Sequence, residues 1–169
     1  IFLDTAVYED IEKANQSGLI DGVTTNPSLI LKSGGDPVET IKKISGDFPF
    51  FESISAEVVA DDALEMVNQA QAFKDLQNVT IKVPLTIAGL QACKLLTQDG
   101  FTVNVTLCFS VAQAILASKA GATYISPFVG RVDDNSFDGL GLVRDISKLY
   151  REQLSRTQVL AASLRNVKD

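Results

Sequence analysis

The run Val79-Thr80-Ile81-Lys82-Val83-Pro84 is β-branched almost throughout and carries an ammonium at its centre. Lysine is almost never fully buried without a partner, because desolvating its charge is costly. Burial favours the neutral amine, a nucleophile able to attack a carbonyl and form a Schiff base. On this segment alone, an exposed lysine on an edge strand is an equal alternative. Two carboxylates stand in comparable places, Asp4 after Ile1-Phe2-Leu3 and Glu57 after Ser55-Ala56. Asp4 could take a hydroxyl proton as a carbon–carbon bond breaks, or simply cap a helix beginning near Tyr8. Glu57 could shuttle protons through water, which Schiff-base formation and hydrolysis both require, or only neutralise Lys82. Opposite charges favour the ammonium while burial disfavours it. Position beside a proton shuttle is therefore the better account of a reactive lysine here.

These residues need elements to hold them. Short apolar strands alternate with amphipathic helices, the pattern of a parallel sheet with crossover helices. Strands are expected at Ile1–Thr5, Gly22–Thr25, Phe50–Val59, Val79–Val83, Phe101–Thr106, Ala122–Ser126 and Gln158–Ala162. Asp61 is expected to cap the helix through Leu64, Val67, Ala70 and Phe73. Thr86 should cap the next, with Gly100 as its stop, and Ser110 should open a third that ends at Gly121. Each strand candidate finishes in a polar residue after an apolar run: Asp4, Asn26, Glu57, Lys82, Thr106, Ser126 and Ser163. A polar strand end is often only a helix cap, but in a barrel the active site forms at these C-terminal ends. Parity supports convergence, since Thr80 shares a face with Lys82 and Asn104 with Thr106.

Two arginines follow the late strands, Arg131 in Ser126-Pro127-Phe128-Val129-Gly130-Arg131 and Arg165 in Ser163-Leu164-Arg165-Asn166. Arginine grips phosphate bidentately, and loops after late barrel strands often form phosphate sites. Asp133, Asp134 and Asp138 lie between Gly130 and Gly139, which favours turn and cap roles over a metal site.

Composition narrows the chemistry further. The 169 residues are 46% hydrophobic, sufficient for one core, and no low-complexity segment or linker divides 1–169. The absence of histidine removes Ser-His-Asp and Cys-His triads and histidine-ligated zinc. A net charge of −6 with scattered lysines and arginines argues against a nucleic-acid surface. No membrane-length apolar run or signal peptide is evident. Cys93 and Cys108 fit free thiols in a reducing cytoplasm. Seven strands suit an open doubly wound sheet, or a (β/α)8 barrel lacking its last units. A barrel needs about 250 residues, or ~200 when compact. On that size argument a segment of roughly 50 residues is expected to be missing at the C-terminus.

The chain resembles the transaldolase family, in particular the short transaldolases related to fructose-6-phosphate aldolase. The resemblance rests on Phe2-Leu3-Asp4-Thr5-Ala6, on Gly22-Val23-Thr24-Thr25-Asn26-Pro27-Ser28 and on Ile81-Lys82-Val83-Pro84. It continues through Asn104-Val105-Thr106-Leu107, Ser126-Pro127-Phe128-Val129-Gly130-Arg131 and Ala162-Ser163-Leu164-Arg165-Asn166. What it implies is a (β/α)8 TIM barrel, here expected to lack the family's last helix, eighth strand and final helix, with no metal and no organic cofactor. Lys82 would form the Schiff base, Asp4 would serve carbon–carbon cleavage, and Glu57 with Thr106 would hold the catalytic water. Asn26, Asn104, Ser126 and Phe128 would meet the dihydroxyacetone unit, and Arg131, Ser163 and Arg165 the phosphate. The implied reaction moves dihydroxyacetone from sedoheptulose 7-phosphate to glyceraldehyde 3-phosphate, in the pentose phosphate pathway. The rival branch, which releases free dihydroxyacetone, carries glutamine in place of Glu57 and tyrosine in place of Phe128. A non-catalytic sugar-phosphate binder is a further alternative. Small-molecule sugar phosphates are the implied partners, and the family's homo-oligomeric rings suggest a pentamer or decamer for a full-length chain.

Overall fold

Strict alternation of polar and apolar residues defines the strands. In Ser53-Ile54-Ser55-Ala56-Glu57, Thr80-Ile81-Lys82-Val83 and Thr102-Val103-Asn104-Val105-Thr106, every second side chain is aliphatic. Successive strand side chains point to opposite faces, so each strand has one polar and one apolar face. The computed structural model describes residues 1–32 and 34–166, so the expected extent to Asp169 runs beyond the described residues. Seven parallel strands follow one another in sequence order: β1 (Phe2–Asp4), β2 (Gly22–Thr24), β3 (Ser53–Glu57), β4 (Val79–Pro84), β5 (Thr102–Cys108), β6 (Tyr124–Pro127) and β7 (Gln158–Val159). Between them run α1 (Tyr8–Asn15), α2 (Pro27–Lys32), α3 (Pro37–Asp47), α4 (Ala63–Ala70), α5 (Ile87–Gln98), α6 (Val111–Ala120), α7 (Val129–Asp134) and α8 (Gly139–Glu152).

The sheet curls. Laid flat, β1 and β6 would lie about 24 Å apart at ~4.8 Å per strand. Instead the Phe2 and Tyr124 rings meet edge-on with centroids 5.8 Å apart, and Tyr124 donates to Glu52 at 2.6 Å. The polar face is therefore the inner one, and the seven strands are those of a (β/α)8-type barrel. The outer aliphatic set, Val23, Ile54, Ile81, Val83, Val103 and Ile125, is completely buried beneath the helices. Helices contribute Ile11, Ile41, Ile44, Met66, Leu96 and Ile146 to the same core.

Helix boundaries follow side-chain caps. Thr86 accepts from the Gly89 amide and Ser110 from the Gln113 amide, and α6 ends at Gly121 with φ +93°, as the sequence leads one to expect. For α4 the cap is Asp62, not Asp61: its carboxylate accepts from the Leu64 and Glu65 amides. Only the residue directly before the first turn can reach those amides. Leu64 is exposed and the buried face is Ala63, Met66 and Ala70, while Phe73 packs from a following 3-10 turn. The third strand is shorter than expected from Phe50–Val59. Phe48, Phe50 and Phe51 pack on one another below it, and at its far end the Val59 amide donates to Gln69 Oε1.

Candidate active site

Lys82 lies on the inner face of β4 and is only 8% exposed. Its parity places it with Thr80, inside the barrel. Its Nζ stands 3.1 Å from Glu57 Oε2 and donates to the Thr25 carbonyl at 3.2 Å. Glu57 and Lys82 are register partners on β3 and β4, and Asn104 is the next partner on β5. The amine thus reaches past β3 to the chain leaving β2. Asp4 ends β1 and is register partner to Thr24, whose hydroxyl donates to Asp4 Oδ1 at 2.8 Å. Asp4 does not cap α1, which Val7 precedes without a side-chain cap. Of the two carboxylates, Glu57 on β3 makes the ion pair with Lys82, and Asp4 is held two strands further round on β1.

Around this pair the inner face carries polar atoms that nothing among the described residues satisfies. Ser55 Oγ, Asn104 Nδ2 and Thr106 Oγ1 are buried without a hydrogen-bond partner. Ser126 donates to Asn104 Oδ1 at 2.9 Å, which aims the Asn104 amide nitrogen away from β6. Buried polar groups in native proteins are nearly always paired, with protein, water or ligand. Three orphans on β3 and β5, the strands either side of the one that bears the buried amine, mark a place built for a polar guest. Beyond Thr106 the ladder of β5 shifts register before Cys108, and Leu107 takes φ +63°. A bulge of this kind re-aims side chains at a strand end, and the left-handed residue stores about 1–3 kcal/mol of strain. Asn26 Oδ1 accepts from the Leu29 amide and so opens α2.

The late strands supply a second cluster. Phe128 bridges to Ala162, packs edge-on against Phe109 at 6.0 Å, and carries the Arg131 guanidinium 5.1 Å above its ring. Arg131 and Phe109 also line a cavity of about 560 Å³ beside α7 and α8. Arg165 pairs with Asp134 at 2.6 Å, and Ser163 takes φ +59° just past β7. Asp133 accepts from the Gly139 amide and Asp138 caps α8, turn and cap roles for two of the three aspartates. Sequence reasoning did not single out Ser55, Thr24 or Thr25. For Ser55 the signal was available, because it shares Glu57's parity in the alternating β3 run.

All 169 residues match the family model described as Transaldolase/Fructose-6-phosphate aldolase. A probable transaldolase of Erythrobacter litoralis is 54% identical over 168 residues, covering 98% of this chain and 76% of the relative. One of Paracoccus denitrificans is 53% identical over 167 residues, with the same coverage. Among solved structures, 3-keto-L-gulonate-6-phosphate decarboxylase of Vibrio cholerae superposes with a TM-score of 0.63 at 12% identity. That match covers 96% of this chain and 86% of the decarboxylase, and speaks to the fold alone. No helix among the described residues is long and apolar enough to cross a membrane.

Proposed function

We propose, from the premise that this chain belongs to the transaldolase/fructose-6-phosphate aldolase family, that it transfers a dihydroxyacetone unit between sugar phosphates through a Schiff base on Lys82. The observation that carries the reading is the buried Lys82 amine, 3.1 Å from Glu57, on an inner face with three unpartnered polar groups. The amine attacks the C2 carbonyl of a ketose phosphate, and a water molecule leaves as the imine forms. Glu57, with the Thr106 hydroxyl, holds that water and carries the protons. The positive imine nitrogen then accepts the electron pair of the C3–C4 bond. Asp4 takes the C4 hydroxyl proton as that bond breaks and the aldehyde product departs. The enamine left on Lys82 adds to an acceptor aldehyde, Asp4 returns the proton, and hydrolysis frees the new ketose. In this scheme Asn26, Asn104 and Ser126 grip the three-carbon unit, while Arg131, Ser163 and Arg165 hold the phosphate.

Sedoheptulose 7-phosphate and glyceraldehyde 3-phosphate are the donor and acceptor we assign. Transfer is favoured over release of free dihydroxyacetone because Phe128 has no hydroxyl with which to protonate the enamine, and because position 57 is a carboxylate. Borohydride reduction with fructose 6-phosphate, read by intact mass and peptide mapping, tests the covalent step. An adduct on Lys82 is expected, and no adduct, or one on another lysine, refutes the mechanism. Product analysis without an acceptor tests transfer: substantial free dihydroxyacetone would overturn it.

A further inference from the structure

Resting on the reading that Ser163 and Arg165 hold the substrate phosphate, we propose that Gly130 is a positioning residue that sets selectivity for phosphorylated substrates. It does so by leaving the space in which Arg165 lies. Gly130 sits in the first turn of α7 and is buried. Its amide donates to the Ser163 carbonyl at 3.0 Å, and the Val129 amide donates to the Ala162 carbonyl at 3.0 Å. These two bonds stitch the start of α7 to the chain leaving β7. A Cβ on Gly130 would stand 2.5 Å from the Ser163 oxygen, 2.8 Å from Arg165 Cδ and 2.9 Å from Arg165 Nε. All three are shorter than van der Waals contact, and the first is to backbone.

Arg165 therefore lies along α7, its stem over Gly130 and its guanidinium at Asp134, 2.6 Å away. Positions 130 and 134 are one turn apart, about 6 Å along the axis, which an arginine side chain spans. Gly130 does not adopt a positive φ, so its backbone makes no demand for glycine. Glycine inside a helix costs about 1 kcal/mol relative to alanine. A locally unfavourable residue that no dihedral requires is explained by the room it leaves. Ser163 takes φ +59°, a sparsely populated conformation, and its carbonyl is the acceptor of the Gly130 amide. A methyl group at position 130 would displace two of the three proposed phosphate contacts, Ser163 and Arg165, while leaving Lys82, Glu57 and Asp4 in place.

The test is a cycle of Gly130→Ala, Arg165→Ala and the double variant, assayed with fructose 6-phosphate and with unphosphorylated fructose as donors. D-Glyceraldehyde serves as the acceptor throughout. Loss of charge-assisted hydrogen bonds to phosphate predicts that G130A lowers kcat/KM for fructose 6-phosphate about tenfold to hundredfold, mostly through KM. Activity with fructose should change by less than about threefold, and G130A should cost clearly less in the R165A background than in the unaltered chain, the remainder being its contact with Ser163. Equal loss with both donors, or full additivity with R165A, overturns the proposal. Should R165A itself leave the phosphate preference intact, the assignment of Arg165 fails, and the proposal with it. Should G130A fail to fold, a folded G130A/R165A double still shows the coupling through Arg165. A double that also fails to fold places the clash at the Ser163 backbone alone and refutes it.

Discussion

Thr106→Val separates a functional hydroxyl from a structural one, because the two roles move stability in opposite directions. Thr106 is 1% exposed and its Oγ1 has no partner. A buried hydroxyl left unsatisfied costs about 1–3 kcal/mol, and replacing it with a methyl of the same shape removes that cost. Valine also suits a strand, so nothing in the backbone of β5 opposes the change. Any water that bonds the hydroxyl in solution reduces the gain, which sets the expectation at about 0.5–2 kcal/mol of added stability. At 169 residues each kcal/mol raises Tm by roughly 2–4 °C, so T106V should melt about 1–8 °C higher. Activity should move the other way. If Thr106 and Glu57 hold the water through which protons pass, kcat should fall by about 10²–10⁴, the usual worth of positioned proton transfer. Urea and thermal unfolding give the first quantity; single-turnover borohydride trapping with fructose 6-phosphate gives the second. A T106V protein destabilised by more than about 1 kcal/mol would mean that the hydroxyl is a structural partner after all. One that keeps wild-type trapping rates would remove Thr106 from the reaction.

Lys82→Met should abolish trapping and cost about 1–3 kcal/mol, less than for a fully dry pair because Glu57 is 20% exposed. Adding Glu57→Gln should recover part of that cost, and a double variant as unstable as the sum of the singles would refute the pairing. Phe128→Tyr places a hydroxyl at the end of β6, beside Ser126, and should raise release of free dihydroxyacetone relative to transfer by about tenfold or more. An unchanged ratio in product analysis would disconnect position 128 from enamine release. Burial pushes the Cys93 thiol up to about 12 and Cys108 up to about 11, from 9.0. Both pKa values are raised in the folded state, so their contribution is complete below pH 9 and is lost as the pH climbs toward 11–12. At pH 10 the loss is about 1.4 kcal/mol per thiol. The urea midpoint of C93A/C108A should therefore fall less between pH 8 and pH 10 than that of the unaltered chain; parallel declines would contradict it.

The order of elements, the parallel sheet and most helix caps were legible because each depends on a short window. Thr86 and Ser110 cap by bonding amides three residues on, so the cue and its effect are neighbours. Strand lengths were less legible. Phe50 and Phe51 are good strand formers, yet they join Phe48 in an aromatic cluster whose members meet only after folding. Ser163 and Arg165 were legible as residues but not in their placement. The contact of Arg165 with Gly130 and Asp134 spans more than thirty residues of sequence, and no local pattern encodes it. Lys82 was legible through the parity it shares with Thr80, and its aliphatic neighbours face the helices.

That parity gives the barrel two kinds of polar interior made from the same residue types. In the lower layer Ser53 bonds Thr80 at 2.7 Å, Thr80 meets Thr102 at 3.1 Å, and Tyr124 bonds Glu52. These groups satisfy one another, and a satisfied buried network rigidifies what it joins. Further along β3 and β5, Ser55, Asn104 and Thr106 carry equivalent chemistry but lack the reciprocal partner. Nothing in composition distinguishes Ser53 from Ser55; only the height of each along β3 does. The lower ladder fixes the strands so that the upper groups cannot relax toward one another, and Lys82 stands at the boundary between the two. A barrel with Ser53 and Thr80 replaced by valine and alanine would keep its residues for chemistry and lose the frame that holds them apart. Site geometry should then degrade before the fold does, because partly satisfied polar groups collapse together when they are free to move.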